Sequence, residues 1–390
     1  MRCLSLFSGG GGLDLGLETV GFQTIAFVEA DRDACCTLEL NMPGPVLCSR
    51  VEDLECDVFK GLGEVDLVAG GPPCQPFSKS ALWTAQGARG FADTRSATIA
   101  EFFRVVRACG PKAFLLENVE RFRSAGGLAQ VQIHLDELAR HGLRYTICWA
   151  VLNAAEFGVA QHRRRFVVWG YRDRAAPPLP APTHGPGLIP YRSSWDALVN
   201  ARSEPAEDLR ARGRWAELLP SIPPGQNYLW HSNRGGGLPL FGWRTRYWSF
   251  LKKLDPDLPA PTIVANPSQN SGPFHWENRL LSIGEIARLQ SFPPDYKFAG
   301  SRASQHRQIG NAVPPVLGAV LGSHILKALG GTPGSFEALE ISTAPNASPQ
   351  SSVQAVSPRY LSLVGVHPDH AGPGKGPSPR PDLMPLTEAA

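Results

Sequence analysis

The chain has 390 residues, of which 43% are hydrophobic and 19% charged, and its net charge is +3. That length can bury a sizeable core and hold two domains, or one large α/β domain with an insert, and the ordinary apolar content excludes a disordered or fibrous chain. So small a charge does not announce a nucleic-acid partner by itself, and any phosphate-binding surface must come from local clusters.

No uninterrupted apolar run approaches the ~18 residues of a membrane span. Met1-Arg2-Cys3 leads directly into an apolar strand and a Gly-rich turn rather than a cleavable leader. The eight cysteines, Cys3, Cys35, Cys36, Cys48, Cys56, Cys74, Cys109 and Cys148, show no C-x-x-C spacing. That pattern fits a reducing cytoplasm and disfavours structural zinc, so no metal is expected.

In chain order, short apolar runs at Cys3–Phe7, Thr24–Val28, Val65–Ala69, Ala113–Leu116, Thr146–Leu152 and Phe166–Trp169 read as strands buried on both faces. Amphipathic stretches of helical length lie at Leu13–Val20, Arg32–Leu40, Ala97–Ala108 and Leu128–His141. Strands alternating with helices predict an α/β fold, a doubly wound and mostly parallel sheet, over residues 1–171. Ligands of such sheets sit beyond the carboxyl ends of the strands. From Arg172 to 275 the chain is rich in Pro, Gly, Arg and Trp and has little periodicity. Helical signals return at Ser282–Gln290, stopped by Pro293-Pro294, and at Pro315–Leu329, within a segment 276–329. Pro, Ser, Ala and Gly dominate 330–390, which reads as a disordered tail.

Several loops at predicted strand ends carry chemistry. Phe7-Ser8-Gly9-Gly10-Gly11-Gly12 joins the first strand to the first helix, where glycine lets the backbone approach a ligand at a helix N-terminus. Glu29 ends the next strand at the spacing of a ribose-binding acid. A dinucleotide site or a plain tight turn would look similar. Gly70-Gly71-Pro72-Pro73-Cys74-Gln75-Pro76-Phe77-Ser78 packs glycines, prolines and a cysteine into a rigid loop at the same edge, which sets Cys74 apart from inert buried cysteines. Glu117-Asn118-Val119 ends another strand there, giving a carboxylate to face the thiol, although such a residue can also be a plain cap. In Gln161-His162-Arg163-Arg164-Arg165, alternation sends Gln161, Arg163 and Arg165 to one side. Alone this would be a solvated basic stretch; beside a nucleophile it can supply guanidinium donors.

In order and spacing these segments resemble the C5-cytosine-specific DNA methyltransferase family, over about residues 1–329 without most of 172–255. The Leu4–Asp14 stretch resembles its cofactor turn, Pro73-Cys74-Gln75 its nucleophile motif, Glu117-Asn118-Val119 its acid motif and Gln161-x-Arg163-x-Arg165 its base-holding motif. Arg279–Pro293, with Glu285, Arg288, Leu289, Gln290 and Phe292, is similar to the segment supporting the recognition domain, and Gln308–Pro314 to the final cofactor motif. Two departures are the extra glycine at Gly10-Gly11 and Ser96, where glycine is usual after Asp93-Thr94-Arg95.

The resemblance implies a Rossmann-like S-adenosylmethionine methyltransferase with catalytic residues Cys74, Glu117, Arg163 and Arg165. It implies that S-adenosylmethionine contacts Phe7, Gly9, Gly11, Gly12, Glu29, Asp53, Leu54, Pro73 and Asn311. Cys74 would add to cytosine C6, protonated Glu117 would donate to N3, Arg165 would hold O2, and Arg163 would order the site and a nearby phosphate. The base must be flipped out of double-stranded DNA. Residues 75–95 would then form a lid, freed by Gly87 and Gly90, whose Ser78, Lys79, Arg89 and Arg95 meet phosphates. Residues 172–275 would be the target-recognition domain, with Arg234, Arg244 and Arg246 reading bases, although tryptophans such as Trp243 and Trp248 are more often core. A monomer acting on the nucleoid in the cytoplasm, with a separate cognate restriction endonuclease, completes the expectation.

An RNA (tRNA) cytosine-5 methyltransferase of the same fold and a catalytically inactive DNA-binding regulator are the alternatives. The large Arg-rich region weighs against the first, and the presence of Cys74, Glu117, Arg163 and Arg165 against the second. A nicotinamide oxidoreductase would explain the Gly-rich turn but not the Pro-Pro-Cys loop.

Overall fold

In the computed structural model the described residues are 1–73, 97–199, 201, 208–243, 247–349 and 351–369. The strands are β1 (Arg2–Leu6), β2 (Gln23–Glu29), β3 (Val46–Cys48), β4 (Leu67–Gly70), β5 (Ala113–Val119), β6 (Tyr145–Asn153) and β7 (Arg164–Arg172). They form one seven-stranded sheet in the order β3-β2-β1-β4-β5-β7-β6. The pairings from β3 through β5 are parallel, and β7 runs antiparallel to both its neighbours. This is the mostly parallel, doubly wound architecture that the alternating elements predict.

Alternation along each strand divides the core into two layers. Cys3, Leu67, Ala69, Ala113, Leu115, Val167 and Trp169 face one side, and Leu4, Leu6, Val68, Phe114, Leu116, Phe166 and Val168 the other. The first layer is covered by α1 (Gly12–Thr19) and α10 (Pro315–Ala328), through Leu13, Leu17, Val316, Leu317, Leu321 and Ile325. The second is covered by α4 (Ala97–Cys109) and α6 (Gly127–Arg140), through Phe102, Phe103, Val131 and Leu135. Each fully buried leucine contributes roughly 1.5–3 kcal/mol, so α10 is an integral part of the sheet's core although it lies more than a hundred residues beyond β7.

Shorter elements are α2 (Arg32–Asn41), α3 (Cys56–Lys60), α5 (Glu120–Ser124), α7 (Ser194–Leu198), α8 (Ile283–Leu289) and α9 (Arg302–Asn311). β3 carries too few residues to show a pattern and is added to the sheet edge through Phe27 to Glu29 of β2. Gln308–Asn311 closes α9, and Ala312–Pro314 breaks the chain before α10 because Pro315 sits at a helix start and cannot continue a preceding one.

Residues 208–275 hold an aromatic cluster of their own, in which Trp215, Tyr228, Phe241, Leu251 and Phe274 are buried. Trp215 is therefore core, whereas Trp248 is 42% exposed. Residues 176–179 belong by contact to the catalytic body, with Ala176 and Leu179 on its core and the Trp169 indole donating to the Pro177 carbonyl at 3.2 Å. The expectation of a disordered tail is corrected for much of 331–369. Leu339, Ile341, Tyr360 and Leu363 are all buried, in three different clusters. Average composition hides them because a few large apolar residues, widely spaced, fill gaps left by the rest of the fold.

Candidate active site

Because β1, β2, β4 and β5 are parallel, Phe7, Glu29, Gly71 and Glu117 emerge at one edge of the sheet. β7 is antiparallel, so its start, Arg164-Arg165, reaches the same edge, with Arg165 paired to Val119.

Glu117 is 7% exposed and its Oε1 lies 2.9 Å from Arg165 Nε. The contact is an ion pair between two largely buried groups. Burial pushes the Glu117 carboxyl above its usual range, even though Arg165 and Arg163 both pull it down. Gly71, just after β4, sits against this carboxylate: a Cβ there would come within 3.0 Å of Glu117 Oε2. The next residue in the acid motif fixes the loop, as Asn118 Nδ2 donates to the Pro72 carbonyl at 3.2 Å. Thr98 Oγ1 donates to the Pro73 carbonyl at 3.2 Å, so the segment that leaves at Pro73 returns beside its own start. Thr98 carried no sequence signal for this role.

Cys74 itself lies outside the described residues, as do Ser78, Lys79, Arg89, Arg95, Arg244 and Arg246.

The arginine strand divides as alternation predicts, with Gln161 and Arg163 fully buried and His162 and Arg164 exposed. Arg163 does not reach outward to a phosphate. Its Nη2 donates to the carbonyls of Gly310 at 2.9 Å and Asn311 at 3.1 Å, and its Nη1 to Ile263 at 3.4 Å. Arg163 thus ties the start of the arginine strand to the end of α9 from within. Arg164 instead pairs with Glu120 through two contacts of 3.0 Å in solvent.

At the glycine turn the four glycines have different surroundings. Gly9 has φ +55 and nothing within 4 Å of a Cβ, so it faces open space. Gly11 and Gly12 are packed from inside. A Cβ on Gly11 would meet Tyr296 Oη at 2.5 Å, and one on Gly12 would overlap the Val313 carbonyl. Close packing against the C-terminal segment leaves room only for glycine at both positions. Tyr296, missed in the sequence, pins the turn by donating to the Gly10 carbonyl at 2.8 Å. Glu29 accepts from Gly9 N–H at 2.7 Å on one oxygen, and from Ala30 and Asp31 N–H at 2.8 Å on the other. Asp53 ends a short 3₁₀ turn and is exposed; Phe7, Leu54, Pro73 and Asn311 keep part of their surface open.

The supporting segment is built as a unit. Arg279 clamps Glu285 at 2.7 and 2.8 Å, Glu285 caps α8 with Ser282, and Gln290 donates to the Ile309 carbonyl at 2.6 Å.

A family model, C-5 cytosine-specific DNA methylase, matches residues 1–327. The chain belongs to that family. This methylase is 37% identical over 366 residues to the Type II methyltransferase M.SacI of Streptomyces achromogenes, covering 84% of this chain and 93% of that one. It is 31% identical over 336 residues to M.Sau96I of Staphylococcus aureus, covering 82% and 74%. Among solved structures, DNMT2 of Spodoptera frugiperda shares the fold with a TM-score of 0.60 at 15% identity, over 83% of this chain and 99% of that one. The methyltransferase EhMeth of Entamoeba histolytica does so at 0.59 and 15%, over 84% and 98%.

Proposed function

We propose that this DNA cytosine-5 methyltransferase takes its methyl group from S-adenosylmethionine and delivers it to a cytosine flipped out of one specific duplex sequence, with Cys74 as nucleophile. The observation that carries the reading is the buried Glu117–Arg165 pair against Gly71, three residues before Cys74.

The cofactor side fits. Gly9 leaves space at the turn, and the three N–H groups on Glu29 leave one of about four carboxylate lone-pair positions for a ribose hydroxyl. Phe7, Gly9, Gly11, Gly12, Glu29, Asp53, Leu54, Pro73 and Asn311 would hold the cofactor. When bound, S-adenosylmethionine supplies an electrophilic methyl on sulfur.

Cytosine C5 is too weak a nucleophile to use that methyl unaided. The Cys74 thiolate adds to C6 and drives electron density toward C5. Glu117, whose burial favours the protonated form, donates to N3 where charge accumulates. Arg165 donates to O2, and its pairing with Glu117 keeps both groups aimed at one ring edge. After methylation the C5 proton leaves, the Cys74–C6 bond breaks, and the thiolate is restored. Arg234, Arg244 and Arg246 would read the duplex, with Ser78, Lys79, Arg89 and Arg95 on its backbone. Relatives named as Type II methyltransferases support a place in a restriction-modification system, as a monomer on cytoplasmic DNA beside a separate endonuclease.

Duplex substrate containing 5-fluorocytosine has no C5 proton to lose, so the adduct should persist on a denaturing gel for wild type with cofactor and be missing for Cys74→Ser. Methylation of ordinary duplex without any trapped adduct would contradict the mechanism.

A further inference from the structure

We propose that residues 344–369 are a working part of the target-recognition region, and that Asp369 is a positioning residue setting the Asn233–Trp243 loop for DNA. The inference rests on reading 172–275 as the recognition domain. The family match ends at residue 327, before this strap begins.

The strap is anchored along its length. Asp196 Oδ1 accepts from the Ala344 N–H at 2.6 Å, and the Trp195 indole donates to the Asn346 carbonyl at 2.8 Å. Further on, the Gln354 N–H donates to the Pro220 carbonyl at 2.9 Å, and Arg359 pairs with Glu217 at 2.7 Å. Tyr360 is fully buried, stacked on Trp215 with ring centroids 5.6 Å apart, and its hydroxyl donates to the Arg214 carbonyl at 2.7 Å. The aromatic core of the recognition region is thus completed from outside it.

Beyond Leu363 the strap turns onto the loop itself. The Gly365 N–H donates to the Pro239 carbonyl at 2.9 Å, and a Cβ on Gly242 would overlap the Pro368 carbonyl. Asp369 then holds both ends of the loop: Oδ2 accepts from Asn233 Nδ2 at 2.9 Å, and Oδ1 from the Trp243 N–H at 2.6 Å. Arg234 Nε lies 3.7 Å from the same carboxylate, while its guanidinium covers the Trp243 ring 5.0 Å from the centroid. The loop contains Gly235-Gly236-Gly237, a run that loses more conformational entropy on ordering than any other residues would. A carboxylate bridging its two ends offsets that loss before DNA arrives, which is how preorganisation raises affinity. The Arg234 side chain stays 57% exposed and Leu238 42%, so the stapled loop presents a cationic and apolar face outward.

The test compares full-length wild type, Arg234→Ala and Asp369→Ala for KM on duplex DNA, S-adenosylmethionine binding, and the spread of sites methylated in a random-sequence library. Both variants should raise the duplex KM about tenfold and broaden the methylated sites, with cofactor affinity unchanged. If Arg234→Ala has that effect and Asp369→Ala does not, the staple is wrong while the recognition reading stands. If neither moves KM or site choice, the reading of this loop falls with it. Loss of cofactor binding together with DNA binding in Asp369→Ala would mark a merely structural role and overturn the proposal.

Discussion

Glu117 and Arg165 lie 2.9 Å apart across the β5–β7 pair, yet the carboxyl is still pushed above its usual range because burial outweighs the guanidinium. The acid in this site is set by enclosure, with the arginine limiting the shift. Glu117→Gln should therefore lower kcat by about 10²–10⁴ while S-adenosylmethionine and duplex still bind. In the proposed mechanism the protonated carboxyl is the active form, so this group should make wild-type activity fall as pH rises through its raised pKa. The variant should lack that alkaline limb, and a pH–rate profile of the two proteins checks it.

Two arginines two residues apart should give opposite signatures. Arg163 satisfies three buried carbonyls, so Arg163→Ala should cost about 3 kcal/mol or more of stability and weaken cofactor binding through Asn311. Arg165→Ala should lower kcat with a smaller loss in Tm. Thermal unfolding beside steady-state kinetics separates them, and equal loss of Tm in both would refute the division.

The glycine turn offers a second contrast. Gly12→Ala places a methyl into the Val313 carbonyl and should destabilise the α1–α10 packing, lowering Tm. Gly9→Ala meets open space, and its left-handed backbone costs only about 1–2 kcal/mol, so the fold should survive while cofactor affinity drops. Calorimetric titration with S-adenosylmethionine, alongside Tm, reads both.

Asp14 is fully buried in α1, and burial raises its pKa to about 7 against the lowering effect of the nearby Ser5 hydroxyl. A raised folded-state pKa means the stabilising contribution is complete below the unfolded value near 3.9 and is lost as pH rises to about 7. The full loss is on the order of 4 kcal/mol at 1.36 kcal/mol per unit. Asp14→Asn removes the titration, so the Tm of the variant relative to wild type should climb between about pH 4.5 and 8. A constant difference would contradict it.

Much of this was legible in the chain. Five of the seven strands announce themselves because strands buried on both faces are short apolar runs; β6 is apolar too but is a half-exposed edge strand, and the strand-end loops carry Glu29, Glu117 and the arginine pair. β3 escaped because three half-exposed residues give no period. The inward turn of Arg163 and the internal packing of Gly11 and Gly12 could not be read either. Their partners, Gly310, Tyr296 and Val313, lie more than a hundred residues away, and only the fold brings them near. The strap failed for the opposite reason: its composition is that of a loop, and Tyr360 and Leu363 gain meaning only beside Trp215 and Leu240.

The most direct test of the central claim is methyl transfer from labelled S-adenosylmethionine to duplex DNA and to tRNA, wild type against Cys74→Ser. Label should appear in the duplex as 5-methylcytosine at one recurrent sequence, and vanish in the variant. Label in tRNA alone, or transfer to DNA that survives Cys74→Ser, would contradict the account.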